Sequence, residues 1–267
     1  MNILLTTDFS DGSLNACGYA LRLFGNEHTT YTLAHSYLDT VPGYATMVDI
    51  SGVRYATSVE DMAHFTERLQ KLNGDASITL KPQVIHGSLV PVLNALCDEE
   101  QVDLIVLGTQ GATGNTFFGS SAAAVAKASK VPVLIVPEQA RFRKPRRMLL
   151  ADDHERVEPF ALRPLVQLAE RYGAHITIAH VLRNAAEVPL ARVVADHEEV
   201  FAKVDHAFIS LEGDDVALVL SLAADREDMD LVAVLHRHMG FLETLFHGSV
   251  SKRLAMHTGI PLLVLQH

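Results

Sequence analysis

Four glycines and two serines follow a short apolar run near the middle of the chain, and these residue types suit the binding of a phosphate group. Leu104–Leu107 form a run of strand length, as expected for a strand buried on both faces. Residues without a Cβ atom let backbone N–H groups approach an anion, and a helix N-terminus adds unpaired donors. The sequence therefore predicts a phosphate loop between this strand and an alanine-rich helix. The loop residues are Gly108, Gly111, Gly114, Gly119, Ser120 and Ser121.

Several catalytic and phosphate-binding motifs are absent from the sequence. The loop has neither the GxGxxG of dinucleotide-binding folds nor the GxxxxGK[ST] of P-loop NTPases. No GxSxG elbow or Ser-His-Asp order indicates a hydrolase, so no catalytic residue is predicted. A tight turn that needs positive φ is the competing interpretation of the glycines.

The second half of the sequence repeats the first. Met148–Asp153 matches Ile3–Asp8, 145 positions earlier, and His175–Val181 matches Thr30–Ser36 at the same offset. Further on, Gly248–Leu265 matches Gly119–Val136. Such a repeat predicts two domains of one fold.

Alternating apolar runs and helical patterns predict the elements of each copy. In the first copy we expect strands at 2–7, 31–36, 83–86, 104–107 and 132–136. We expect one helix capped by Asp11 or Ser13 and further helices at 59–72 and 89–100. A long loop is expected over 38–56. Val216–Leu222 looks like a strand, but its repeat partner and the preceding Gly-Asp-Asp indicate a helix over 215–226. The alternation implies parallel sheets with helices on both faces.

The motif Gly108-x-x-Gly111, followed by Gly119-Ser120 and the strand VPVLIV, resembles the phosphate loop of the universal stress protein family. The opening ILLTTDFS resembles the family as well. The similarity covers essentially the whole chain, because each half resembles one family domain. It implies two flavodoxin-like (Rossmann-like) α/β domains, each a five-stranded mainly parallel sheet, packed as an intrachain pseudo-dimer. The last strands, 132–136 and 261–265, would then pair antiparallel. The predicted boundaries are 1–138, a basic linker at 139–146, and 147–267.

The resemblance also implies which residues contact a nucleotide. In the family, the aspartate after strand one and the chain after strand two contact adenosine, while the glycine loop and the Gly-Ser pair hold ribose and phosphates. The ligand implied is ATP or AMP, and ATP could bring Mg²⁺. The implied site in the first copy comprises Asp8, His35, Ser36, Gly108, Gly111, Gly119, Ser120 and Ser121. A second candidate site comprises Asp153, His180, Val181, Gly248, Ser249 and Val250.

Each copy departs from the family pattern in a different way. Seven residues separate Gly111 from Gly119 where the family has nine, which predicts weak binding of terminal phosphates in the first copy. In the second copy Leu235 and His238 stand where the two loop glycines belong. The aspartates could instead fix turns, and the Gly-Ser pairs could serve only as helix entries.

Composition excludes several classes of partner. The net charge of −10 argues against binding to nucleic acid or an anionic membrane. The start has no basic n-region, and two cysteines without CxxC spacing indicate no disulfide or redox centre, so we expect a cytoplasmic protein. His236, His238 and His247 lack the spacing of a metal motif, and no metal site is predicted.

Together these features predict a nucleotide-responsive stress or signalling protein without dedicated catalysis. The alternatives are an interaction scaffold that binds no nucleotide and a slow ATPase. The identity of a protein partner stays open, as does the choice between a monomer with paired halves and a homodimer. The basic residues of the linker are interpreted as solvated, with a phosphate or partner patch as the alternative.

Overall fold

The computed structural model of the chain describes residues 1–38, 50–74, 77–109, 120–152, 158–182, 198, 200–235 and 259–266. The chain divides into two compact units, Met1–Val131 and Pro132–His267.

The first unit contains a parallel sheet whose strands alternate with helices. Along the chain its elements are β1 (Asn2–Thr6), α1 (Asp11–Phe24), β2 (Thr30–Tyr37), α2 (Ile50–Asn73), β3 (Leu80–His86), α3 (Leu89–Glu100), β4 (Leu104–Gly108) and α4 (Ser120–Ala128). The strands lie in the order β3-β2-β1-β4. β1 is therefore central, and its carboxyl end lies between those of β2 and β4.

The second unit repeats this order and adds an antiparallel strand. Its elements are β5 (Val133–Val136), β6 (Arg147–Asp152), α5 (Pro159–Tyr172), β7 (His175–Leu182), β8 (His206–Glu212), α6 (Val216–Arg226), β9 (Leu231–Leu235) and β10 (Leu262–Leu265). The parallel strands run β8-β7-β6-β9-β10. The predicted alternation of strands and helices is confirmed in the first copy and, in the second, for the helices α5 and α6; residues 183–197 and 236–258 lie outside the described residues.

Strand β5 is the last strand of the first sequence copy, but it belongs to the second compact unit. It pairs antiparallel with β10, and Leu134 lies directly opposite Leu263. The predicted antiparallel pairing of the two last strands is confirmed. All four residues of each strand are buried, which explains their uninterrupted apolar sequence.

Two element boundaries differ from the sequence prediction. Helix α2 begins at Ile50 and not at Val59, so part of the predicted loop is helical. Residues 52–57 are all exposed, and no apolar periodicity marks these turns as a helix. Strand β3 begins at Leu80 and includes Pro82. Among the described strands β3 lies at the edge of the sheet, where proline is tolerated because its missing N–H need not donate to a neighbouring strand.

The helix caps also refine the prediction. The N-cap of α1 is Ser10, and not Asp11 or Ser13, because the extended Ser10 places its hydroxyl to accept from the backbone N–H of Ser13. Gly25 ends this helix with φ 62°, as expected. For α6, the helix prediction and the predicted cap are both confirmed, since Asp215 accepts from Leu218 N.

The basic linker contacts two aspartates of the second unit. Arg143 pairs with Asp228 at 3.0 Å, and Arg147 pairs with the same carboxylate. The largely buried Asp230 accepts the backbone N–H groups of Arg146 and Arg147 at 2.8 and 3.1 Å. The side chains of Arg143, Arg146 and Arg147 are exposed, as the interpretation of a solvated linker expects, and two of them also form ion pairs. The linker is tied to the turn that precedes β9.

Candidate functional site

The carboxyl edge of the first sheet brings together residues predicted to contact the adenosine with one residue of the predicted phosphate loop. In the strand register, Thr6 lies beside Ala34 and Leu5 lies beside Val106. Asp8, His35 with Ser36, and Gly108 follow these positions by a few residues, at the ends of β1, β2 and β4. Three neighbouring parallel strands thus end in the residues that the sequence singled out.

Asp8 is half-buried and stabilises the turn that joins β1 to α1. Its Oδ1 accepts hydrogen bonds from Ser10 N at 3.2 Å and from Ser10 Oγ at 2.5 Å. The same Ser10 hydroxyl then caps α1 by accepting from Ser13 N. The turn-fixing role considered for this aspartate is therefore real, and it holds the carboxylate in one orientation at the strand end.

Thr7 connects this turn to β2 and α1. Its backbone carbonyl lies 2.9 Å from His35 Nδ1, and its hydroxyl lies 2.9 Å from Ser13 Oγ. The hydroxyl also accepts from Phe9 N at 2.9 Å. The imidazole of His35 is therefore fixed relative to the end of β1.

Phe9 completes the site and was not predicted from the sequence. Its backbone has φ 67°, and its ring centroid lies 4.2 Å from that of His35 with an interplanar angle of 33°. A non-glycine residue with positive φ is uncommon, and no sequence pattern marks it. The available signal was an aromatic residue directly after the strand-end aspartate.

Gly108 has a packing reason to be glycine. A Cβ atom built on it would lie 3.1 Å from the backbone C and O atoms of Gly12 and 3.4 Å from Ser13 N. The end of β4 therefore approaches the first turn of α1 too closely for a side chain. Gly108 contributes to the site by letting the α1 N-terminus lie against β4.

The remaining predicted residues of the first copy have different outcomes. Ser120 and Ser121 are the exposed first residues of α4, as expected for a helix entry. Ser36 is half-buried at the end of β2. Gly111 and Gly119 lie outside the described residues, so the phosphate loop itself stays a prediction.

The second copy keeps the backbone arrangement but changes its side chains. His180 Nδ1 lies 3.0 Å from the carbonyl of Asp152, as His35 does from that of Thr7. Asp152 is a carboxylate only 6% exposed where the first copy has a hydroxyl. Leu235 is fully buried where the first copy has Gly108, and Val181 is buried as well. The predicted residues Asp153, Gly248, Ser249 and Val250 lie outside the described residues.

Within the described part of the chain, no group of three histidine, cysteine, aspartate or glutamate side chains could hold a metal ion. His236, His238 and His247 fall outside that part. None of the described helices is long and apolar enough to cross a membrane.

Parallel strands with intervening helices, in the same order in both copies, define two flavodoxin-like α/β domains. The sequence model of the universal stress protein family matches residues 1–137 and 144–266. The chain therefore belongs to the universal stress protein family. No curated protein matches the sequence significantly.

Two solved structures share the fold over nearly the whole chain. A universal stress protein from Archaeoglobus fulgidus DSM 4304 is 18% identical, with a TM-score of 0.69 over 100% of this chain and 96% of that one. A protein of unknown function from Pseudomonas aeruginosa PAO1 is 15% identical, with a TM-score of 0.57 over 99% and 92%. At these identities the similarity shows the fold alone. A family protein from Arabidopsis thaliana, solved with AMP bound, is 14% identical over 51% of this chain and 91% of that one, with a TM-score of 0.37.

Proposed function

We propose that this universal stress protein binds adenine nucleotide, ATP or AMP, weakly through its first unit and has no dedicated catalytic reaction. The observation that carries the proposal is the convergence of Asp8, His35 and Gly108 at the carboxyl ends of three adjacent parallel strands. Ligands of open α/β sheets bind at this edge. The family resemblance supplies the chemistry, with Asp8 and the His35-Ser36 pair on the adenosine side and Ser120 and Ser121 toward the phosphates.

The side chains of the second copy favour the first unit as the binding half. At the corresponding strand ends the second copy has a fully buried leucine, Leu235, and a buried carboxylate, Asp152. A phosphate near these two groups would face a side chain that cannot donate to it and a negative charge that repels it. We therefore propose that the second copy holds no triphosphate, although the family pattern marks its Gly248-Ser249 pair.

On the adenosine side of the first unit, the orientation of Asp8 supports the proposal of nucleotide binding more than it supports hydrolysis. Asp8 is tied to Ser10 and holds a fixed carboxylate for an amino or hydroxyl group of the ligand. Mg²⁺ would arrive with ATP, and no residue is assigned to it. Cytoplasmic location belongs to the same proposal.

Calorimetry with ATP and with AMP on three proteins tests the proposal. The wild type should bind, Asp8→Ala should weaken binding by at least about tenfold, equal to 1.4 kcal/mol, and Asp153→Ala in the second copy should bind as the wild type does. Gly111→Val tests the predicted phosphate loop in the same way. A substitution of Gly108 would not be informative, because packing against Gly12 already requires a glycine there.

Mass spectrometry of small molecules released from the purified protein gives a second readout. A retained adenine nucleotide supports the proposal. If none is retained and the wild type gives no binding heat, the protein is better described as an interaction scaffold. Release of inorganic phosphate in the same ATP samples would favour the slow ATPase instead.

A further inference from the structure

We propose that Phe9 is a positioning residue of the first unit, which holds Asp8 and His35 in the arrangement that an adenosine group meets. This inference rests on the proposed nucleotide site. It concerns how the site is held and not which residues touch the ligand.

The backbone of Phe9 is the first observation. Its φ of 67° lies in the left-handed region, which an aromatic residue adopts at a cost in free energy. Such a conformation persists only where the surrounding structure imposes it, and it is frequent at functional sites. Here Phe9 N donates to Thr7 Oγ1 at 2.9 Å. The resulting turn places Ser10 so that its N–H and hydroxyl both donate to Asp8 Oδ1.

The ring of Phe9 is the second observation. Its centroid lies 4.2 Å from that of His35, and it meets the ring of Phe65 edge-on at 6.0 Å. The distance to Phe65 is typical of an attractive aromatic pair, and the distance to His35 is slightly shorter than typical. Phe65 is buried in α2 and anchors the ring to the core. The imidazole of His35 is thus held by two contacts, the Phe9 ring and the Thr7 carbonyl.

One residue therefore links the β1–α1 turn, the end of β2 and helix α2. Replacing the ring removes a contact that orients His35, while the polar groups that would contact a ligand stay in the sequence. The second copy has His154 at the equivalent position, so a phenyl ring is specific to the first copy.

The test compares Phe9→Gly and Phe9→Tyr in the full chain. Glycine accepts positive φ, so Phe9→Gly removes the ring without adding backbone strain, whereas Phe9→Tyr keeps the ring. Phe208→Leu is the matched control, because it removes a phenyl ring 5.6 Å from an imidazole, that of His206, away from the site. Two quantities are measured: the affinity for AMP by calorimetry, and the ring resonances of His35 by NMR.

We expect Phe9→Gly to lower the AMP affinity about tenfold and to shift and broaden the His35 resonances. Phe9→Tyr and Phe208→Leu should leave both quantities at their wild-type values. Wild-type affinity in Phe9→Gly overturns the positioning role while leaving the nucleotide site intact.

A wild type that binds no nucleotide overturns the proposed function instead, and the His35 resonances then decide the role of Phe9. Resonances shifted in Phe9→Gly and retained in Phe9→Tyr support positioning, and unchanged resonances overturn it. If Phe9→Gly does not fold, Phe9→Asn replaces it, since asparagine also accepts the left-handed region.

Discussion

The two units have the same backbone arrangement at the carboxyl ends of three adjacent strands but carry different side chains there. These strands are β1, β2 and β4 in the first unit and β6, β7 and β9 in the second. In the first unit, His35 Nδ1 lies 2.9 Å from the backbone carbonyl of Thr7, and in the second, His180 Nδ1 lies 3.0 Å from that of Asp152. The first copy adds a hydroxyl and a glycine to this frame. The second copy adds a buried carboxylate, Asp152, and a buried leucine, Leu235.

The comparison shows that the same backbone arrangement can carry a glycine in one copy and a buried leucine in the other. Helix α1 begins five residues after the last residue of β1, and its Gly12 lies against Gly108. Helix α5 begins seven residues after the last residue of β6. A later helix start is compatible with a leucine at the end of β9, where an earlier one required glycine.

The largest effect is expected where the copies are equivalent. Leu134 and Leu263 lie opposite each other in β5 and β10, and both are fully buried. Leu134→Asp or Leu263→Asp should each cost about 4 kcal/mol or more, because an unpaired charge is buried. The two variants should lower the Tm by similar amounts. Leu222→Asp, at a leucine 55% exposed on α6, is the control and should change the Tm little. A wild-type Tm for either β-strand variant would contradict the pairing.

The next effect tests the filled space of the second copy. Leu235→Gly removes a fully buried side chain from the end of β9, so we expect a loss of about 3–5 kcal/mol in the free energy of unfolding. Denaturant unfolding measures it. A loss below about 1 kcal/mol would mean that Leu235 fills no space that the fold depends on.

The reciprocal change tests the close contact in the first copy. Gly108→Leu forces a side chain against the Gly12 backbone, so we expect a loss of about 1–3 kcal/mol. Gly52→Leu is the control, because nothing lies within 4 Å of a Cβ atom placed there. If Gly108→Leu were as stable as the control, packing would not explain this glycine, and phosphate binding would become its main explanation.

The smallest effect concerns an ion pair of the second copy. Asp103 and Asp230 both accept the backbone N–H of the residue at the start of the adjacent strand. Two residues earlier, Gln101 and Asp228 both have left-handed φ, but the second copy has a carboxylate there. A hydrogen bond from Arg143, with the charges of Arg143 and Arg147, lowers the pKa of Asp228.

Asp228→Asn should therefore lower the Tm by at most about 2 °C near neutral pH. A lowered pKa stabilises the fold above the unfolded pKa, about 3.9, and this contribution disappears as the pH falls through the folded pKa. The wild type and the variant should have equal Tm values near pH 2. A difference that persists at that pH would contradict the ion pair as its source.

The sequence predicted those parts of the fold that are written in local patterns. Uninterrupted apolar runs located β4, β5 and β10, and the repeat identified α6 although Val216–Leu222 has the composition of a strand. The first turns of α2 were missed because residues 52–57 face solvent, and an exposed helix needs no apolar stripe.

The resemblance predicts which residues belong to the candidate site but not the contacts between them. Asp8 and His35 were identified from the resemblance, whereas the left-handed Phe9 and its ring contact depend on three separate elements. The packing role of Gly108 depends on Gly12, which lies far away in sequence. Contacts of this kind arise only when the chain is folded, and no local propensity encodes them.

Because β5 pairs with β10, which comes much later in the sequence, its pairing is delayed while the ribosome synthesises the protein. Leu262 is added 129 residues after Val133, so at roughly 5–20 residues per second the strand β5 waits about 6–26 s for β10. During that time the edge of VPVLIV that β10 will cover is open to other chains. The nascent first half therefore presents a strand edge that a chaperone can protect or that another nascent copy can capture.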